Sequence, residues 1–70
     1  MRNTVLRNGS TYEVVKVVEI HGWIVFENGQ PFATIFQRGG HVMTDAEGHE
    51  VTREETRAFL RELLRLPPSW

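Results

Sequence analysis

The sequence predicts an α+β fold: an antiparallel β-meander of about five strands, followed by one C-terminal α-helix packed on one sheet face. Three observations predict it. Glycine-containing pairs recur between apolar, β-rich runs at Asn8-Gly9, His21-Gly22, Asn28-Gly29 and Gly39-Gly40. A two-residue hairpin loop needs positive φ, which Gly adopts freely and Asn tolerates. Thr52-Arg53-Glu54-Glu55 has the spacing of a capping box, with Thr52 as N-cap and Glu55 three positions on. Beyond it, Phe59, Leu60, Leu63, Leu64 and Leu66 recur at helical spacing until Pro67-Pro68 stops the run.

Taking each glycine pair as a two-residue loop sets the register. Arg7 then pairs with Ser10, Ile20 with Trp23, Glu27 with Gln30, and Arg38 with His41. The strands fall near residues 3–7, 10–20, 23–28, 30–38 and 41–45. Asp45-Ala46-Glu47-Gly48 reads as a further tight turn, with Gly48 left-handed, leading into a short strand over 49–51. In this register Lys16 faces Glu27, and Val18, Val25 and Phe32 align across three strands. The second strand is twice as long as its neighbours. A strand of that length bends or coils, which leaves partial closure toward a small barrel open. Pro31 removes a ladder donor just after the Asn28-Gly29 turn and marks a candidate bulge.

Alternation sorts the side chains into two faces. One carries Val5, Tyr12, Val14, Val18, Ile20, Trp23, Val25, Phe32, Phe36 and Met43. The other carries Leu6, Val15, Val17, Ile24, Phe26, Ala33, Ile35 and Val42. An antiparallel sheet with one wet face shows clean apolar–polar alternation. Here both faces are apolar in the central strands, and one helix covers one face. Barrel closure, a second copy of the chain or another partner must cover the other. The face with Trp23, Phe32 and Phe36 is the better match to the helix stripe.

The helix is expected over about 53–66. Arg53, Arg57, Arg61 and Arg65 recur every fourth residue and wind slowly around it as a basic ridge. Such a ridge is either a solvated face with pairs such as Glu54 to Arg57 and Glu62 to Arg65, or a contact surface for phosphates or acidic protein. A nucleic-acid binder adds strand lysines beside such a ridge. The strands hold one, Lys16, and the register pairs it with Glu27. After Pro67-Pro68-Ser69, Trp70 either folds back on the domain edge or anchors a docking tail.

Seventy residues make one domain, 1–70, near the lower limit for folding alone. With no cysteine, disulfides and thiolate metal sites are excluded. A net charge of −1 gives no global steering toward nucleic acid or acidic membranes. The N-terminus lacks the apolar core of a secretory signal, and the longest apolar run, Trp23-Ile24-Val25-Phe26, is too short to span a bilayer. A cytoplasmic location is expected, with no membrane partner.

Few constellations carry chemistry. His41, Asp45 and His49 bracket the last hairpin beside Glu47 and Glu50, but spacing alone does not converge them, and no HExxH pair is present. The Asp45-to-Gly48 segment fails the calcium-loop pattern, which needs Gly where Glu50 stands. His21 suits a left-handed turn. Ser10, Thr11, Tyr12 and Glu13 offer hydroxyls and a carboxylate without a nucleophile-elbow pattern. No catalytic residue, metal site or cofactor is expected, and the chain is read as no enzyme.

The function expected is a small protein-binding or regulatory module, a homodimer, acting through an apolar face that includes Val15, Val17, Ile24, Phe26 and Ile35. Small inhibitors and adaptors of phages and mobile elements are built this way. The alternatives are a nucleic-acid-binding regulator using Arg53, Arg57, Arg61 and Arg65, and, less favoured, a small nuclease or hydrolase using His41 or His49. The features are generic to small meander-plus-helix domains.

Overall fold

A computed structural model describes residues 2–70, with the backbone alone for Arg2 and Asn3. Strands β1 (Arg2–Arg7), β2 (Ser10–Val17), β3 (Gly22–Glu27), β4 (Gln30–Arg38) and β5 (Val42–Thr44) form one antiparallel sheet in sequence order. Helix α1 (Glu54–Leu64) follows. The edges β1 and β5 are not paired with each other, so the sheet is open rather than a barrel. The α+β meander-plus-helix fold is as the sequence predicts.

Two hairpins form as expected. Asn8 and Gly9, and Asn28 and Gly29, all take positive φ. Arg7 pairs with Ser10, and Glu27 with Gln30. The tip of the β3–β4 hairpin is tied to β2: Thr11 N–H donates to Asn28 Oδ1 at 2.9 Å, and Asn28 N–H donates to the Thr11 carbonyl at 2.7 Å.

The turn between β2 and β3 differs. Strand β2 ends at Val17, and Val18–Ile20 form a 3₁₀ turn closed by His21, left-handed at φ 52°. Val17 therefore pairs with Gly22, and Ile20 does not pair with Trp23. The glycine serves packing rather than the turn: a Cβ on Gly22 would lie 2.3 Å from the Ile35 carbonyl oxygen. The shift of four residues is even, so each side chain keeps its face while its partner changes. Lys16 faces Trp23 instead of Glu27, with its ammonium 5.7 Å from the ring centroid. Glu27 faces Tyr12 and accepts the phenol hydrogen at 2.6 Å.

The bulge falls where Pro31 marks it. Phe26 pairs with Pro31 but Val25 with Ala33, leaving Phe32 as the extra residue. This slip is odd, so it turns the rest of β4 over. Ala33 and Ile35 point to the helix, and Phe36 to the opposite face. Both assignments reverse the sequence expectation, and Val18, Val25 and Phe32 do not align. The next loop holds three residues, Gly39-Gly40-His41, so Arg38 pairs with Val42 and not His41. This second odd slip cancels the first, and Met43 returns to the covered face. After the Asp45–Gly48 turn, the short strand expected over 49–51 reduces to a single bridge, Thr44 to Glu50.

Helix α1 starts one residue late, with Arg53 rather than Thr52 as N-cap and no side-chain cap bond, so the capping box does not form. It ends at Leu64, short of the expected 66 and ahead of Pro67-Pro68, in a Schellman motif: Leu66 N–H bonds the Arg61 carbonyl and Arg65 N–H the Glu62 carbonyl. Arg65 takes the left-handed position at φ 56°, a place glycine fills at lower cost. The helix buries Leu60, Leu63 and Leu64 against Val14, Trp23, Val25, Ile35 and Met43, with Trp70 completing the core. Each fully buried leucine contributes roughly 1.5–3 kcal/mol of transfer free energy.

Candidate functional site

The helix covers one face of the sheet and leaves the other open. On the open side lie Leu6, Val15, Val17, Ile24, Phe26, Phe36 and Val42, placed by the strand registers. Val15 stands opposite Ile24, and both are half-buried, with no helix or strand of the described chain packed over them. Leu6 at the β1 edge is 73 % exposed. Thr11, Glu13 and Thr34 lie among them, so the face is a mixed surface rather than a pure core. Apolar side chains thus recur across the three central strands on this face, interrupted by a few polar groups.

Of the five face residues expected from sequence, Val15, Val17, Ile24 and Phe26 stand together here. Ile35 does not. It is 4 % exposed and sits in the core under the helix, because the bulge turns it over. Phe36 takes its place, opposite Gly22. The signal that finds Phe36 is Pro31: a one-residue bulge there exchanges every later face assignment in β4.

The arginine ridge is largely engaged by the chain itself. Arg61 Nη2 lies 2.7 Å from Glu54 Oε1, Arg53 Nη2 lies 3.3 Å from Glu55 Oε2, and Arg57 Nη1 donates to the Val51 carbonyl at 3.1 Å. Glu62 pairs across elements with Arg7 at 2.7 Å rather than with Arg65. Arg7 also lies over the Phe59 ring, 4.9 Å from its centroid, and so joins β1 to α1. The hydrogen bond and charge of Arg61 hold the Glu54 carboxyl below its ordinary 4.5.

Trp70 is not extended. It folds back to 8 % exposure, edge-to-face with Trp23 at 6.5 Å and with His41 at 5.5 Å. His41 and His49 are therefore used separately. His49 Nδ1 lies 3.7 Å from Asp45 Oδ2. Asp45 Oδ1 accepts the backbone N–H of Glu47 and of His49, each at 2.9 Å, closing the turn. Those bonds, the one from His49 first, hold the Asp45 carboxyl below its ordinary 3.8. Among the described residues no group of three or more His, Cys, Asp or Glu converges as a metal site.

A cluster of aromatics that the sequence did not single out lies at the seam of helix and sheet. Tyr12 meets Phe32 at 5.6 Å and Phe59 at 5.3 Å, both edge-to-face. The bond to Glu27, then burial and the Glu27 charge, raise the Tyr12 phenol above its ordinary 10.0.

Fold and face together define a small α+β domain with one helix-covered and one open apolar sheet face. Compared with known proteins, the chain matches no family model, no curated protein and no solved structure. No helix among the described residues is long and apolar enough to cross a membrane.

Proposed function

We propose that this protein is a small non-enzymatic protein-binding module that works as a homodimer through its open sheet face. The observation that carries this reading is the open face itself: Val15, Val17, Ile24, Phe26 and Phe36 lie side by side with no helix or strand of the described chain packed over them. A two-fold arrangement lets the same patch cover itself.

No observation favours the nucleic-acid alternative, because Arg53 and Arg61 already face carboxylates. Light scattering across a dilution series tests the proposal. The expected mass is twice the 8.1 kDa of the chain, persisting to low micromolar concentration. Ile24→Asp should give a monomer with an unchanged far-UV circular dichroism spectrum. A parent chain that is monomeric throughout overturns the homodimer.

A further inference from the structure

A second surface lies at the other side of the sheet, where β4 passes the first turns of α1. It is a groove of about 620 Å³. Its floor is Ala33, Ile35 and Leu60, and its walls are Phe32 and Phe59. That volume is within the ~300–1,000 Å³ of sites that take small ligands or side-chain anchors.

The bulge makes the groove. Phe32 is the residue left without a cross-strand partner, and it is 49 % exposed. Bulges commonly re-aim a side chain in this way. The edge-to-face contacts through Tyr12 hold both phenylalanines in place. The apolar wall is thus formed before anything binds, and little ordering entropy is lost on docking.

The rim sets the charge of the occupant. Asp45, Glu50 and Glu55 line it against a single cation, Arg53. Arg53 is itself paired with Glu55 at 3.3 Å. The Glu50 side chain has no hydrogen-bond or ion-pair partner among the described residues. The residues lining the groove thus carry three carboxylates and one guanidinium, with the Arg57 guanidinium turned to the Val51 carbonyl. A net negative rim around an apolar floor attracts cationic groups flanking an apolar one and repels the acidic equivalent.

We propose that this groove docks a cationic apolar segment of a partner protein: a phenylalanine or leucine side chain on the floor, flanked by arginine or lysine at the rim. It is independent of the open face, so either surface can fail its test without the other.

The test is a nuclear magnetic resonance titration of the full ¹⁵N-labelled chain with two capped peptides, Arg-Phe-Leu-Arg and Glu-Phe-Leu-Glu. Shifts should concentrate in 32–35, 50–53 and 56–60. The cationic peptide should bind about tenfold more tightly at low salt, and the ratio should shrink as salt rises. Glu50→Gln combined with Glu55→Gln should bring the ratio near one, and Phe32→Ala should weaken both peptides. Far-UV circular dichroism checks that these surface variants stay folded. Equal affinity for the two peptides, shifts centred on Val15, Ile24 and Phe26, or no shifts at millimolar peptide would each overturn the proposal.

Discussion

On the helix-covered side of the sheet, Val14, Val25 and Met43 are 0–2 % exposed, while on the opposite side Val15, Val17, Ile24 and Phe26 stay half-buried. The residue types on the two sides are much the same. The difference comes from the second layer: Leu60, Leu63 and Leu64 press on one side, and no helix or strand of the described chain packs on the other. Apolar composition marks a face as able to be buried, and a partner layer makes it so.

Truncations under the helix should break the comparison most strongly. Leu63→Ala and Met43→Ala should each cost about 2–5 kcal/mol by urea unfolding, since both side chains are fully enclosed and leave a cavity. Ile24→Ala, measured at a dilution where the chain is monomeric, should cost less than about 1 kcal/mol, because the face is already open to water. A cost for Ile24→Ala equal to that for Met43→Ala would mean the open face is covered within the chain.

Gly22 links the two sides, since it pairs with Val17 and with Phe36, and a Cβ there would meet the Ile35 backbone. Gly22→Ala should destabilise by roughly 1–3 kcal/mol, as the added methyl meets a backbone oxygen that cannot rotate away. A neutral result would show that β3 and β4 separate there without cost.

A change at the helix end should act in the opposite direction. Arg65→Gly removes the strain of a left-handed arginine and should stabilise the chain by about 1 kcal/mol, read as a higher urea midpoint. Unchanged or lower stability would mean that the Arg65 side chain contributes a contact that offsets its backbone strain.

The smallest effect concerns pH and again separates two regions, the Asp45 turn and the helix. Asp45 and Glu54 are both held below their ordinary values in the folded chain. Their contribution is full above the unfolded carboxylate range, near pH 4, and is lost as pH falls through their folded values. Asp45→Asn and Glu54→Gln should therefore each flatten the acid limb of the stability–pH profile. Tyr12 acts at the other end. Its raised phenol favours the neutral form in the folded state, so stability falls as pH rises above about 10, and Tyr12→Phe should remove that fall.

Much of the architecture was legible because it depends on local chemistry. Asn-Gly at 8–9 and 28–29 needs only its own φ values to turn the chain. The leucine stripe needs only the helical period. Leu60, Leu63 and Leu64 are buried as that period predicts. Thr52 shows the limit of local reading: the box spacing is present, yet the helix begins at Glu54 after an extended Arg53.

The partnerships were decided only in three dimensions. An alternating strand reads the same whether or not one residue is extruded, so the sequence marked Pro31 as a bulge site but not the exchange of Ile35 for Phe36 that follows. Trp70 could have extended or folded back, and the space beside Trp23 and His41 decided it. Glu62 had Arg65 within helical reach and pairs with Arg7 instead, because folding brings β1 beside α1. Turns and helical stripes follow from neighbours along the chain, which the sequence contains. Register, facing and ion-pair choice follow from neighbours across it, which exist only once the sheet and helix have packed.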